Sequence, residues 1–399
     1  MGQGIDMTVN RLPARTWNWL HMNESSLSCI GADQLCTADA NVSGSGVRFT
    51  PTDKHAAAFA ETPDWDEMET ALGPDMDRLL EKRDERAAGA GQRTAADSLT
   101  AAEGKGSKKD TPSVLTYTYM AGARSMSRLY LHAEKDSELN VAILCRTAEA
   151  GAQLAEAGKD GAAPAAGQDI QADSLAALQI KVRAEDGAKV RIYLVQMLDA
   201  AFTALADIGG TAGADAEIEL VRLELGAGQL YAGAAVELAG KRSRFEAHIG
   251  YAAKSGQHLD MNYTARHKGK KTESLMTASG VLAADSFKIF RGTIDFPNGC
   301  AGAKGTESEE VLLLGDSVVN QTIPLILCSE EDVEGNHGAS IGRLDESMLF
   351  YLNARGIPTD EAERLMARAK LDAVCNMIPS KEVRNEVQRF MGGDEEEDA

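Results

Sequence analysis

Long apolar runs are missing from this 399-residue sequence, and its first residues lack the basic and then apolar order of a signal peptide. We therefore expect no membrane-spanning helix and predict a cytoplasmic protein. Positive charge is also scarce, since 41 Lys and Arg stand against 61 Asp and Glu, giving a formal net charge of −20. Such a chain repels phosphates, which argues against a nucleic-acid partner.

Cysteine is sparse and scattered, with no CxxC pair and no Cys/His pair at zinc-ligand spacing. The sequence therefore predicts no dedicated structural metal site. In a reducing compartment such thiols usually behave as small buried apolar side chains. This is the expectation for all six, namely Cys29, Cys36, Cys145, Cys300, Cys328 and Cys375.

Enzyme motifs are absent as well. The sequence has no G-x-S-x-G or H-E-x-x-H, and the "GKGSKK" at 104–109 lacks the spacing of a phosphate-binding loop. If ATP is involved in the function, another chain is expected to hydrolyse it.

Two segments precede the main body of the chain. Residues 1–83 show helical spacing of apolar residues and predict a small helical region. Residues 84–112 have almost no large apolar side chain, so burial cannot offset the entropy of ordering, and we predict a flexible linker.

Short alternating strands dominate residues 113–339. They recur about every ten to twelve residues and are separated by Gly, Asp, Asn and Lys rather than by helices. This pattern is typical of a β-sandwich, a β-barrel or a β-solenoid. No strict repeat is visible, so the residues alone leave these three open, with a preference for the solenoid.

Helical spacing returns over residues 340–391, followed by an acidic tail at 392–399. The first helix is predicted to begin after a cap at Asp345, to bury Leu349, Phe350 and Leu352, and to end at Gly356 before Pro358. A helical unit of this size is too small to be stable alone, so we expect it to pack on the β region or on another protein.

Two histidines are candidate functional residues because of their sequence neighbours. His337 lies in "GNHGAS", among residues too small to shield its ring, at the predicted boundary between strands and helices. His258 precedes Asp260 by two residues, a spacing that can fix an imidazole tautomer. A structural role competes with the functional one at both positions.

Three stretches resemble the SufB/SufD family of iron–sulfur cluster assembly proteins: "LYLHAEKDSELNVAILC", "SGVLAADSFKIFRGTIDF" and "LLLGDSVVNQTIPLILCSEEDVEGNHGASIGRLDESMLFYLNARGI". In addition, "LPARTWNWLHMNE" near the N-terminus resembles the start of the D-type member. The resemblance implies a right-handed parallel β-helix flanked by small N-terminal and C-terminal helical regions, with residues 113–339 as the β-helix.

The resemblance also implies partners. Family members pair through their β-helices into a B/D dimer, bind the SufC ATPase on their C-terminal helices, and build and hand on iron–sulfur clusters. A transient cluster at the subunit interface and no tightly bound cofactor are therefore expected. B-type members have a reactive Cys ahead of the "TIP" segment and a Glu directly after the motif His, where this sequence has Val318 and Gly338, so the D type is favoured.

The resemblance finally assigns residues. His337 matches the D-type histidine at the scaffold interface and becomes a candidate iron or cluster ligand, although the Cys that D-type members often carry two residues earlier is Gly335 here. For the ATPase surface the candidates are Leu349, Phe350, Tyr351 and Arg355. Plain packing is expected for two of the three apolar residues, with the third and Arg355 facing the partner.

Two alternatives stay open. One is a SufB-like scaffold that pairs with itself. The other, from a different class, is a parallel β-helix enzyme acting on polysaccharide, which would need clustered acids or a Ca²⁺ site on one face of the solenoid.

Overall fold

The computed structural model describes residues 5–14, 20–30, 35–36, 38–43, 49–51, 65–79, 81, 98–103, 112–148 and 174–392. Over these residues, no helix has the length and apolar character needed to cross a membrane. The chain is mainly β, and most of its strands belong to two long sheets. The strands are β1 (Ile5–Val9), β2 (Ser25–Ile30), β3 (Leu35–Cys36), β4 (Asp39–Ser43), β5 (Phe49–Pro51), β6 (Ser98–Glu103), β7 (Ser113–Tyr119), β8 (Arg124–Ala133), β9 (Glu138–Thr147), β10 (Ser174–Ala184), β11 (Lys189–Met197), β12 (Phe202–Ala212), β13 (Glu217–Glu224), β14 (Gln229–Leu238), β15 (Arg244–Ala253), β16 (His258–His267), β17 (Glu273–Ala283), β18 (Phe287–Phe296), β19 (Ala303–Leu314), β20 (Val319–Cys328) and β21 (Val333–Gly342).

From β8 onward the chain winds as a parallel β-solenoid of about seven turns. In this part the even-numbered strands stack in one sheet and the odd-numbered strands in the other, each strand pairing in parallel with the strand two further along. With β3, β5 and β6 the first sheet has ten strands, and with β4 and β7 the second has nine. Alternate side chains point between the sheets, where they form one continuous apolar core. The predicted parallel β-helix is therefore confirmed.

Tight corners connect the two sheets. One residue in several corners adopts the left-handed backbone region, as at Asp136 (φ 60°), Gly187 (φ 71°) and Asp215 (φ 57°). Glycine and aspartate tolerate this conformation better than most residues. These are the polar interruptions that the sequence places between its apolar strands.

The described part of the N-terminal region packs on the outer face of the ten-stranded sheet. It contains the predicted helical spacing in a short helix at 74–79, whose Met76 and Leu79 pack on Met126 and Leu175 of that sheet. It also contains β1 and β2, an antiparallel pair that the sequence analysis did not predict. The region predicted as helical is thus partly β.

The predicted linker at 84–112 includes β6, so the linker prediction is wrong for residues 98–103. This strand pairs in parallel with β8, and the pairing runs through backbone groups, which need no large apolar side chain. The other linker residues, apart from 112, lie outside the described residues, as do the acidic residues 393–399.

Three helices follow the solenoid: α1 (Glu346–Ala354), α2 (Thr359–Cys375) and α3 (Lys381–Phe390). The cap at Asp345 is confirmed, because its carboxylate accepts from the Ser347 backbone N–H. Helices α2 and α3 bury an apolar face on the outer side of the nine-stranded sheet, with Leu371, Val374 and Val387 in one cluster. Helix α1 buries none of its residues.

Candidate functional site at the open end of the solenoid

The last turn of the solenoid has two open edges. β20 ends the ten-stranded sheet and β21 ends the nine-stranded sheet, and no described strand pairs with the outer edge of either. Unpaired backbone N–H and C=O groups along an edge are a template for pairing with another chain. This end of the solenoid is therefore suited to a strand-to-strand interface.

His337 lies in the middle of β21, on the open edge, and is exposed. In the ladder its Cα partner is Glu307 of β19, one turn further into the solenoid. Because the register is parallel, the two side chains point to the same face of the sheet. The structure thus places His337 at the boundary that the sequence predicted and brings a buried acid beside it.

A buried ion pair lies under this open end. Lys288 of β18 places its Nζ 2.6 Å from Oε1 of Glu309 on β19, and both side chains are fully buried. The Tyr251 hydroxyl donates to the same Oε1 at 2.6 Å, and the Thr322 hydroxyl donates to Oε2 at 2.6 Å. Both oxygens of Glu309 are therefore satisfied by the interior of the last turns.

Glu307 has no such partners. It is only 2% exposed, yet neither carboxylate oxygen has a hydrogen-bond partner among the described residues. Burial, together with the negative charge of Glu309, raises the pKa of Glu307 to about 7. The Lys288 ammonium acts in the opposite direction but is already shared with Glu309.

The positions at which the B-type and D-type patterns differ, 318, 335 and 338, vary in the space available for a larger side chain. A Cβ at Gly335 would lie 3.0 Å from Phe296 Cε2, so a side chain there requires a small shift of that ring. A Cβ at Gly338 would meet nothing within 4 Å. Val318 is half-buried and packs against the solenoid core.

Helix α1 carries an exposed apolar surface. Phe350 is 76% and Tyr351 is 55% exposed, whereas Leu349 and Leu352 are half-buried. The Arg355 guanidinium lies over the Tyr351 ring, 4.9 Å from its centroid. The prediction that Phe350 is buried, and that two of the three apolar candidates pack inward, is therefore wrong, because no described element covers that side of α1.

His258, the other histidine candidate, and His267, at the other end of the same strand, both have structural surroundings. The Asp260 carboxylate accepts hydrogen bonds from Asn10 and Arg291 rather than from His258. The His258 ring stacks on Phe287, with ring centroids 4.4 Å apart. His267 is fully buried, with its two ring nitrogens bonded to the hydroxyls of Thr272 (2.8 Å) and Ser274 (2.9 Å).

Cysteine exposure is mixed. Cys145, Cys300 and Cys375 are buried as predicted, but Cys36 and Cys328 are exposed, which corrects the expectation for those two. Burial and the nearby Glu224 carboxylate raise the pKa of Cys145 to about 12, so this thiol stays protonated. Cys29 lies in β2, and its side chain is outside the described part of the structure.

In the part of the chain that the structure describes, no group of three or more His, Cys, Asp and Glu side chains is placed to hold a metal ion. The sequence analysis did not single out Lys288, Glu307 or Glu309. A signal was nevertheless present for the two acids, since Glu307 and Glu309 stand at every second position in step with the apolar Val311, which marks them as inward-facing.

These features define a parallel β-solenoid with an open, polar end and a helical extension that presents an apolar surface. Residues 117–370 match the family model described as "SUF system FeS cluster assembly, SufBD core domain". This match covers more than half of the sequence, and the chain belongs to the SufBD family.

Curated relatives agree. The chain is 34% identical over 128 residues to the iron–sulfur cluster assembly protein SufD of Bacillus subtilis, covering 32% of this chain and 29% of that protein. It is 29% identical over 183 residues to a chloroplastic SufBD family protein of Arabidopsis thaliana, covering 46% of this chain and 33% of that protein. The matched segments thus span about a third of the length of these relatives. Because the chain belongs to the SufBD family, the alternative hypothesis of a β-helix enzyme acting on polysaccharide is rejected.

Proposed function

We propose that this chain is a SufD-like, non-catalytic scaffold subunit of a cytoplasmic SufBCD-type complex that assembles and transfers iron–sulfur clusters. It pairs with a SufB-like subunit and binds a SufC-type ATPase. The observation that carries the proposal is the open edge of β21 with His337 exposed at its centre.

The open edges support pairing. Strands β20 and β21 each offer backbone groups to a partner strand, and this pairing does not depend on the side chain of His337. A neutral imidazole is a suitable ligand for iron. A ligand from this chain would then meet ligands of the partner at the seam, where a transient cluster is held as cargo.

The exposed surface of α1 supports ATPase binding. Aromatic residues and arginine are enriched at protein interfaces. Phe350 and Tyr351 lie on this helix, and Arg355, at its C-terminal cap, lies over the Tyr351 ring. We propose that this surface receives the ATPase. Because the sequence has no phosphate-binding loop, the purified chain alone is expected to hydrolyse no ATP.

Co-expression of this chain with a SufB-like subunit and a SufC-type ATPase, followed by anaerobic purification, tests the proposal. The His337→Ala complex should assemble normally, because the side chain is exposed and its loss should change stability by no more than about 1 kcal/mol. Iron and acid-labile sulfide per complex should fall sharply relative to wild type. Ser340→Ala, an exposed position on the same strand, is the matched control and should retain both.

Equal iron and sulfide in the His337→Ala and wild-type complexes would contradict the ligand role. The open edges also allow a second copy of this chain to take the partner's place. If the chain expressed alone forms a cluster-carrying dimer, the self-pairing scaffold replaces the SufD-like assignment.

A further inference from the structure

Glu307 is a buried acid without a hydrogen-bond partner in the described structure. Native proteins satisfy nearly all buried polar groups, and exceptions point to a bound water or ion or to a functional role. Protonation would not remove the problem, because a buried carboxyl group still needs an acceptor for its hydrogen. The position therefore calls for a positively charged or hydrogen-bonding occupant.

Lys288 does not fill this role. Its Nζ is 2.6 Å from Glu309, 3.1 Å from the Thr322 hydroxyl and 3.3 Å from the Gln321 carbonyl oxygen, so its three donors are engaged by groups other than Glu307. One ammonium beside two carboxylates leaves one negative charge uncompensated when both acids are ionised. A divalent cation beside Glu307 would supply the missing charge.

The open end gives such a cation access. His337 is the ladder partner of Glu307 on the last strand, and strands in a sheet are about 4.8 Å apart, so the two side chains are neighbours on one face. The absence of a side chain at Gly292 lets the Glu307 carboxyl group lie against the facing strand, because a Cβ at Gly292 would lie only 2.9 Å from the Glu307 carboxyl carbon. The site is thus bounded by Glu307 within and by His337 at the solvent side.

We propose that Glu307 and His337 together bind Fe²⁺ at the open end of the solenoid, with Glu307 as the inner ligand and His337 as the outer one. Carboxylate oxygen and imidazole nitrogen are both ordinary ligands of divalent iron. The proposal rests on the proposed function, since it assigns a second ligand to the same end of the scaffold. Two protein ligands leave the other positions to water or to a partner subunit, which suits an ion that is handed on.

Anaerobic equilibrium dialysis of Fe²⁺ against the full chain tests this inference. Substitution of groups that only support a metal ligand costs about 10- to 100-fold in affinity, so loss of a ligand itself should cost at least about tenfold. Glu307→Gln and His337→Ala should each show this loss, and the double variant should lose little more than either single variant, because both act on one ion. Glu246→Gln, which alters another carboxylate near a histidine (Glu246 and His248, 3.8 Å apart), should bind as wild type.

Glu307→Asp tests whether the loss of Fe²⁺ affinity in Glu307→Gln is due only to the lost negative charge. It keeps the negative charge but shortens the reach toward His337, so its Fe²⁺ affinity should fall as well. Fe²⁺ should raise the thermal midpoint of the wild type and not that of Glu307→Gln. Wild-type affinity in Glu307→Gln, or losses for Glu307→Gln and His337→Ala that multiply in the double variant, would overturn the inference.

The two proposals fail separately. If the wild-type co-expressed complex carries no iron–sulfur cluster, the proposed function is wrong whatever the dialysis result. If that complex carries a cluster while Glu307→Gln binds Fe²⁺ as wild type does, only the role of Glu307 is wrong.

Discussion

Asn10 donates its side-chain amide to the Asp260 carboxylate over 2.7 Å, joining the end of β1 to β16 across 250 residues of sequence. Asp260 also accepts from Arg291 of β18 and from the hydroxyl of Ser25. Asn10, Asp260 and Arg291 are all buried. A polar cluster, together with apolar packing, therefore fixes the β1–β2 pair to the ten-stranded sheet.

Arg291→Ala should destabilise the protein strongly, because it leaves the Asp260 carboxylate buried without its cationic partner. Breaking a buried ion pair from one side typically costs about 3–5 kcal/mol. Denaturant unfolding should show this loss in the free energy of unfolding. Arg244→Ala is the control, since Arg244 pairs with Glu273 in solvent and its loss should cost less than about 1 kcal/mol. Equal losses in the two variants would contradict the anchoring role.

Phe350→Ala combined with Tyr351→Ala should abolish capture of a SufC-type ATPase while leaving the free energy of unfolding within about 0.5 kcal/mol of wild type, because both side chains are exposed. Pull-down and denaturant unfolding measure the two effects. Deletion of the C-terminal helices is a poorer test, since α2 and α3 cover apolar residues of the nine-stranded sheet.

Met120→Ala provides the control for this pair. Met120 is 56% exposed and far from α1 in sequence, so its removal also deletes a large exposed apolar side chain. Capture should be unchanged. If the double variant binds the ATPase as well as Met120→Ala does, α1 is not the binding surface.

The pH dependence of stability should contain a contribution from His267. Burial lowers its pKa to about 4, whereas an unfolded histidine titrates near 6.5. Between these values the unfolded state binds the proton more strongly, so the stability present above pH 6.5 is lost as the pH falls to 4. The resulting loss in the free energy of unfolding amounts to about 3 kcal/mol.

His267→Gln should remove this contribution. Unfolding free energies of wild type and variant, measured from pH 7 to pH 4, should converge as the pH falls. The difference between the two proteins is the proper quantity, since Glu307, with its raised pKa, contributes a slope of the opposite sign. A constant difference across this range would show that the pKa of His267 is not lowered.

Much of the fold follows from local patterns in the sequence. Alternating residues mark the strands, and Asp345, Gly356 and Pro358 mark the limits of α1, because caps and chain breaks act through a few neighbouring residues. The repeat itself was hidden, because the turns differ in length. Thr203 pairs with Gln229, 26 residues further on, whereas Phe287 pairs with Val319, 32 residues further on.

Long-range features could not be predicted in this way. Helical spacing says which residues share a face but not whether another element covers it, so the exposure of Phe350 was missed. The pairing of Glu307 with His337 depends on the register between turns, and the variable turn length conceals that register in the sequence. His337 was singled out by its small neighbours at the predicted boundary between strands and helices, and the resemblance of the surrounding motif then suggested its ligand role.

Gly335→Cys should add a thiolate to the site, because residues 335 and 337 share one face of β21. With Co²⁺ as an anaerobic probe, the variant should show a thiolate-to-cobalt charge-transfer absorption that the wild type lacks. The new Cβ would meet Phe296 at 3.0 Å and Ile326 Cδ1 at 3.3 Å, so a loss of about 1 kcal/mol in unfolding free energy is expected.

Gly338→Cys is the matched control for this variant. Its Cβ would meet nothing within 4 Å, so stability should be unchanged, and its thiol would project from the opposite face of the strand. This variant should give no charge-transfer absorption that depends on His337. A contradictory result would be the same absorption in both cysteine variants, with His337→Ala abolishing it in neither. The cobalt would then bind at surface thiols, and the assignment of the inner face of β21 as the metal-facing side would be wrong.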